Sequence, residues 1–229
     1  MIELFTSEGC SSCPPADSLL SQLAASRKGS ILALSEHVDY WDYLGWKDPN
    51  SSALFTARQQ AYARRMRLSS TYTPQVIVNG ILETIGNRRD AVEGALKTAE
   101  KPKLIKVTCR ISSDSRTLTI EAKSTTPIAN DLLANFAVTT DGVLSKVTRG
   151  ENSGRELRHD NVVRRMATKR VGSDLQSELQ LASGKYRPQR FTSGGFLARI
   201  RSGKSSGVRL VLAGRTFAMK RLSRSDFIF

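Results

Sequence analysis

Short apolar runs and a helical apolar stripe alternate along the first third of the chain. Residues 2–6, Ile-Glu-Leu-Phe-Thr, read as a strand. Ala16, Leu19, Leu20, Leu23 and Ala24 then recur at helical spacing and give one apolar face. Pro14 and Pro15 suit the first turn of that helix, where a missing N–H goes unused, and Arg27–Lys28–Gly29 closes it with cations and a glycine stop. Residues 31–34, Ile-Leu-Ala-Leu, predict a short buried strand. Strand, helix and strand make a βαβ unit with parallel strands and a right-handed crossover. After Pro49, residues 52–67 turn helical, with Leu54, Phe55, Ala57, Ala61 and Tyr62 on one side. Residues 73–80 predict a proline-led strand ending in an Asn79–Gly80 turn, residues 81–85 its hairpin partner, and residues 90–99 a helix with Ala91, Val92, Ala95 and Leu96 inward.

Past Lys101–Pro102–Lys103, which reads as a linker, the period changes to two. Ile105, Val107, Cys109 and Ile111 share one face of a strand, so Cys109 reads as a core thiol. Leu118, Ile120 and Ala122 share a face of the next strand, after an Asp114–Ser115–Arg116 turn. A third strand, residues 136–140, runs into Asp141–Gly142, a strong turn signal. These patterns predict an α/β domain over residues 1–101 and an antiparallel β-rich domain over residues 102–229.

Composition changes this picture only in the tail. The net charge is +14, but residues 169–229 hold 13 basic and 3 acidic residues, leaving +4 for the rest. From about residue 169 the chain is rich in Arg, Ser and Gly. A disturbed reading frame and a genuine basic extension both fit that change. No nucleic-acid recognition module accompanies the charge, so no nucleic-acid partner is expected. No run of apolar residues is long enough for a membrane span. The start lacks a basic region and a cleavage site, which keeps a cytoplasmic location open.

Three cysteines exclude a disulfide-stapled scaffold. Two of them, Cys10 and Cys13, are spaced CxxC between the first strand and the first helix. There the unsatisfied N–H groups and the helix dipole favour a thiolate at Cys10. Cys10 is the expected nucleophile toward a disulfide, and Cys13 the more buried resolving thiol. In a thioredoxin-like layout a cis-proline packs beside such a pair, and Thr73–Pro74 holds that place in chain order. The segment after the second strand, His37–Val38–Asp39–Tyr40–Trp41–Asp42–Tyr43–Leu44–Gly45–Trp46, leaves the same sheet edge as the cysteine loop. His37, Asp39, Trp41 and Asp42 are therefore expected to contact a substrate or move protons, or else to cap a packed aromatic connection. Partners would be a disulfide-containing protein or a small thiol, with no cofactor. Two alternatives stay open: a copper or zinc module ligated by Cys10, Cys13 and His37, and a non-catalytic binding domain with a structural disulfide.

Several of these stretches resemble a bacterial family, the domain of unknown function numbered 1223. They are Glu3–Leu4–Phe5–Thr6–Ser7 with Gly9–Cys10–Ser11–Ser12–Cys13–Pro14–Pro15–Ala16–Asp17, residues 37–49, Phe55–Thr56–Ala57–Arg58–Gln59, and Tyr72–Thr73–Pro74–Gln75. The stretch of residues 149–157 with His159, Asn161, Val162 and Val163 matches as well. The resemblance covers about residues 2–168. It implies a thioredoxin-like fold and a periplasmic or secreted protein, and it implies no reaction. The 150–152 stretch with His159 is read either as a turn packed on the first domain or as part of the redox rim. Separately, residues 73–80 with Ile85–Gly86 are similar to the glutaredoxin proline strand. That similarity implies glutathione as a substrate, with Arg88 and Arg89 meeting its carboxylates.

Overall fold

The computed structural model describes residues 1–27, 30–99, 103–104, 107–113, 117–124, 133–170, 174–180, 196–200 and 207–212. The first half holds β1 (Ile2–Thr6), α1 (Pro14–Ser26), β2 (Ala33–His37), a 3₁₀ turn (Asp42–Leu44), α2 (Ala53–Met66), β3 (Gln75–Val78), β4 (Leu82–Ile85) and α3 (Arg89–Thr98). Then follow β5 (Lys103–Leu104), β6 (Val107–Ser113), β7 (Thr117–Ser124), β8 (Leu133–Thr140), β9 (Val143–Lys146) and β10 (Glu156–His159). The last strands are β11 (Val162–Arg170), β12 (Asp174–Gln180), β13 (Phe196–Ile200) and β14 (Gly207–Leu212). Two units emerge. One joins Met1–Glu100 with Thr140–Val163, and the other joins Lys101–Thr139 with Arg164–Phe229. The hairpin β9–β10 thus belongs with the N-terminal residues.

In the first unit the strands run β4-β3-β1-β2. β2 is parallel to β1 with Thr6 opposite His37, while β3 and β4 pair antiparallel. Val162, at the start of β11, pairs in parallel with Ser35. Every residue of β1 is buried, as in a strand covered on both faces. Alternation divides its side chains between two clusters. Ile2 and Leu4 pack with Leu19, Leu20 and Leu23 of α1, and with Val76, Val78 and Val92. Phe5 faces the other way, into Val38, Tyr62 and Ile77. Each such side chain contributes roughly 1.5–3 kcal/mol on burial.

Two expectations shift. The second strand begins at Ala33 and runs to His37. The sequence pattern stopped at Leu34 because Ser35, Glu36 and His37 are polar, yet all three are buried. On α2 the inward face is Phe55, Gln59, Tyr62 and Ala63, whereas Leu54, Ala57 and Ala61 point to solvent. Gln59 takes an inward place because its amide donates to the Tyr72 carbonyl at 2.7 Å and to Gln75 Oε1 at 2.9 Å.

A charged cluster lies within this unit. Arg58 on α2 binds the buried carboxylate of Glu3 and lies 3.3 Å from that of Glu36. Tyr62 Oη donates to Glu3 at 2.6 Å. Burial pushes the Glu36 carboxyl up from 4.5 to about 8, the Glu3 charge adds to this, and Arg58 opposes it. Arg58 itself is held above its usual range: burial works against its charge, and the two carboxylates outweigh burial. Between pH 4.5 and about 8 the folded chain keeps a proton on Glu36 that the unfolded chain has released. That contribution to stability is complete below about 4.5 and is lost as pH rises through about 8. Glu36→Gln is therefore expected to gain stability relative to the native chain across this window. Urea midpoints of both proteins at either end of it provide the check, and a constant difference would refute it.

In the second unit β6, β7 and β12 form an antiparallel sheet with Cys109 opposite Ala122. β13 pairs antiparallel with β14 and β5. One pairing departs from the expected antiparallel pattern, since β14 runs parallel to β8. Ile105 and the 114–116 turn lie outside the described residues. No helix among those described is long and apolar enough to cross a membrane.

Candidate functional site: a disulfide rim on a buried polar network

The loop after β1 carries the cysteines to the start of α1. Cys13 is the residue before the helix, and its carbonyl accepts from Ala16 N at 2.8 Å and Asp17 N at 3.1 Å. Pro14 and Pro15 occupy the first turn without wasting a donor. Cys10 and Cys13 are joined by a disulfide with their Cα atoms 5.4 Å apart. Ser12 Oγ lies 3.3 Å from Cys10 Sγ. The two cysteines are equally enclosed, at 1% and 0% exposure, so Cys10 is less open than an attacking thiol is expected to be.

Three loops converge on this pair. A side chain at Gly9 would meet Trp41 Cβ at 3.0 Å, so glycine lets the Trp41 segment lie against the cysteine loop. Trp41 Nε1 in turn donates to Thr73 Oγ1 at 2.8 Å, and the Thr73–Pro74 bond is cis. Asn87 donates to the Ser12 carbonyl from the turn before α3. Arg88 and Arg89 stand exposed beyond it, paired with Asp90 and Glu93. Asp39 and Asp42 serve local structure. Asp39 binds Thr56 through both its N–H and its carboxylate, and Asp42 accepts from Asp48 N and Ser51 Oγ. Burial raises the Asp42 carboxyl above its ordinary value.

The turn between β9 and β10 supplies the fourth contact. Asn152 is buried, and its amide donates to the carbonyls of Glu8 and Cys10, both at 2.9 Å. Glu151 accepts from Ser11 N at 2.9 Å, and the Ser11 side chain, followed by this backbone bond, holds its carboxyl below the usual value. This turn, rather than the first half alone, encloses Cys10.

Beneath the rim lies a buried network of three carboxylates and two imidazoles. His37 Nδ1 is 2.7 Å from Asp48 Oδ2, and His37 Nε2 has no partner. Asp48 also accepts from Glu8 N and Asn50 N, at 2.9 and 2.8 Å. Burial opposes its charge, but His37 and these amides hold its carboxyl below the ordinary value. Glu8 accepts from Trp46 Nε1 at 2.8 Å and Asn50 Nδ2 at 3.1 Å. His159 sits between Glu8 at 3.4 Å and Asp17 at 3.5 Å, its ring edge-on to His37 with centroids 4.8 Å apart. Burial disfavours its cation, yet the neighbouring carboxylates of Asp17 and Glu8 push it up to about 10.

Sequence reasoning placed His37 at this edge and singled out His159. It assigned nothing to Glu8, Asp17 or Asp48. Asp17 lies among the apolar positions of α1, where periodicity treats it as noise, and Glu8 and Asp48 lie in loops, where periodicity carries no signal. The alternative metal set named Cys10, Cys13 and His37; here Cys10 and Cys13 are joined to each other. Among the described residues His37 groups instead with Glu8 and Asp48, whose ligand atoms all lie within 4.8 Å of one another.

The fold and site define a mixed α/β protein with an enclosed CxxC disulfide on a buried histidine–carboxylate network. The chain belongs to the family described as "Protein of unknown function (DUF1223)", whose model matches residues 1–190 and so runs beyond Thr168. Among solved structures it is similar to the crystal structure of protein AGR_C_4864 from Agrobacterium tumefaciens. The two share 24% identity over 98% of this chain and 96% of that one, with a TM-score of 0.63, a likeness of fold. No curated protein matches the chain.

Proposed function

We propose that the N-terminal residues form a thioredoxin-like domain and that Cys10–Cys13 carries thiol–disulfide exchange. The observation behind this reading is the CxxC disulfide at the start of α1, against whose loop the Trp41 segment and the 150–152 turn pack, with Thr73 bound to Trp41. In the reduced protein the Cys10 thiolate attacks one sulfur of a substrate disulfide and releases the other as a thiol. Cys13 then displaces the substrate from Cys10. Two electrons and two protons pass to the substrate, and the Cys10–Cys13 bond remains. A small thiol such as glutathione suits the enclosed pair, with Arg88 and Arg89 available to its carboxylates. A larger protein disulfide needs the 150–152 turn to lift from the Cys10 carbonyl. An oxidising compartment, periplasmic or extracellular, is the setting in which such a disulfide persists.

The test is a glutathione-coupled assay and an insulin-reduction assay on the full chain. Cys10→Ser is expected to reduce exchange to background. Native protein no faster than Cys10→Ser in both assays would overturn the reading and leave a structural disulfide in a binding domain.

A further inference from the structure

We propose that Asn152 and Glu151 are specificity-determining residues: they hold the 148–155 turn around the cysteine loop, so that small disulfides reach Cys10 and folded protein disulfides do not. The substrate side of this role presupposes thiol–disulfide exchange at Cys10–Cys13.

The Cys10–Ser11 peptide unit is gripped at both its polar ends. Asn152 Nδ2 donates to the Cys10 carbonyl at 2.9 Å, and Glu151 accepts from Ser11 N at 2.9 Å. In a trans peptide those two groups point opposite ways, so the turn reaches around the unit beside Cys10. Asn152 is fully buried and its amide is fully used. Nδ2 also donates to the Glu8 carbonyl at 2.9 Å, and Oδ1 accepts from Arg155 Nη1 at 3.0 Å.

Exchange needs an access that this arrangement denies. A thiolate must touch a disulfide sulfur, yet Cys10 and Cys13 are only 1% and 0% exposed. One of the neighbouring segments has to move. The Trp41 segment is tied down, because Tyr40 and Trp41 pack against the apolar cluster of Phe5, Val38, Tyr62 and Ile77. Pro74 of the cis-proline loop is itself buried. Residues 148–155, in contrast, carry no hydrocarbon side chain, and all but Gly150 and Asn152 are exposed. Lifting this turn exposes no apolar side chain of its own. It breaks hydrogen bonds that water replaces, and each is worth little net once water competes.

The turn is built to move as a piece. It is closed on itself by Gly154 N to the Val147 carbonyl at 2.8 Å and by Val147 N to the Arg155 carbonyl at 2.9 Å. Gly150 and Gly154, at φ +75° and +81°, supply its left-handed backbone. Behind it β9 and β10 form a two-stranded sheet of their own, anchored by buried Val147 and Leu157. A partial lift admits a disulfide of glutathione size. A folded protein bearing a disulfide needs the whole turn displaced.

The test uses the full chain with Cys13→Ser and Cys109→Ser, which leaves Cys10 as its one thiol. It is labelled with N-ethylmaleimide and with a maleimide on a branched polyethylene glycol, each rate divided by that of the urea-unfolded chain. The small reagent is expected to be favoured at least about tenfold. Asn152→Ala should abolish most of that preference, and Glu151→Gln should lower it about threefold, since each loosens the grip. With the native cysteines, Asn152→Ala should raise the insulin rate relative to the glutathione rate about tenfold. No size preference before substitution, or one unchanged in both variants, would overturn the proposal. So would equal acceleration of both reagents, which would mean that the turn only positions Cys10. Glu151 is exposed, so Glu151→Gln decides the question if Asn152→Ala does not fold. A native chain that exchanges with neither substrate defeats the exchange reading, while the labelling still decides whether the turn screens Cys10 by size.

Discussion

Arg58→Met is expected to remove roughly 3–5 kcal/mol of folding stability, the largest loss from any single side chain outside the disulfide rim. Arg58 is the cation facing two carboxylates, Glu3 and Glu36, that are both fully buried. Methionine has a similar length and fills much of the same volume, so the loss reports charge rather than a cavity. Without the guanidinium, Glu3 must be protonated or must stay ionised without a counter-ion, and Glu36, already protonated at neutral pH, loses its charged neighbour. Either course costs more than an exposed ion pair is worth, since an exposed pair contributes only about 0–1 kcal/mol. The effect should shrink in acid, where both carboxyls are protonated in either variant. Denaturant unfolding at neutral pH measures it. A loss below about 1 kcal/mol would show that the carboxylates find other partners. Adding Glu36→Gln to Arg58→Met should restore part of the loss, because one buried acid is then gone.

The second large effect belongs to His159. His159→Ala is expected to cost roughly 3 kcal/mol or more, by leaving Glu8 and Asp17 buried without the imidazole between them. The truncation also opens a space against His37, whose ring now packs edge-on to His159 at 4.8 Å. His159→Gln should lose less, since an amide can still donate to one carboxylate. Thr6 Oγ1, Trp46 and Asn50 keep their bonds to Asp17 and Glu8 in both variants, which bounds the loss from above. Equal stability of the two variants would mean that the site responds to volume and not to the missing donor. Because His159 ends β10, in the unit that also contains β1 and α1, the loss should appear in the same transition that melts the N-terminal residues.

Local patterns carried far in this chain. The strand at β1, the CxxC before a proline-led helix, the apolar stripe of α1, the β3–β4 hairpin with its Asn79–Gly80 turn, and the helix at α3 were all legible. Each is set by residues within one or two turns of one another. Legibility failed where a polar residue was buried. β2 was cut short at Leu34 because Ser35, Glu36 and His37 look like surface. On α2, Phe55 and Tyr62 face inward as expected, but Leu54, Ala57 and Ala61 were added to that face because they are apolar, and Gln59 was left out because it is not.

The candidate site divides the same way. Cys10 and Cys13 are set by their spacing and by the helix that follows, and Thr73–Pro74 by its place in strand order. The partners of these residues are not local. Asn152 reaches Cys10 from 142 positions away, and Glu8 meets Asp48 and His159. Whether a buried carboxylate is tolerable depends on which donors the fold brings to it, and no window of sequence contains them. The sequence by itself determined the elements and the thiol pair, because hydrophobic period, proline and glycine act over a few residues. Only the tertiary structure decided that Cys10 lies enclosed beneath the 150–152 turn, above two histidines and three acids, because electrostatics in an interior is settled by long-range neighbours.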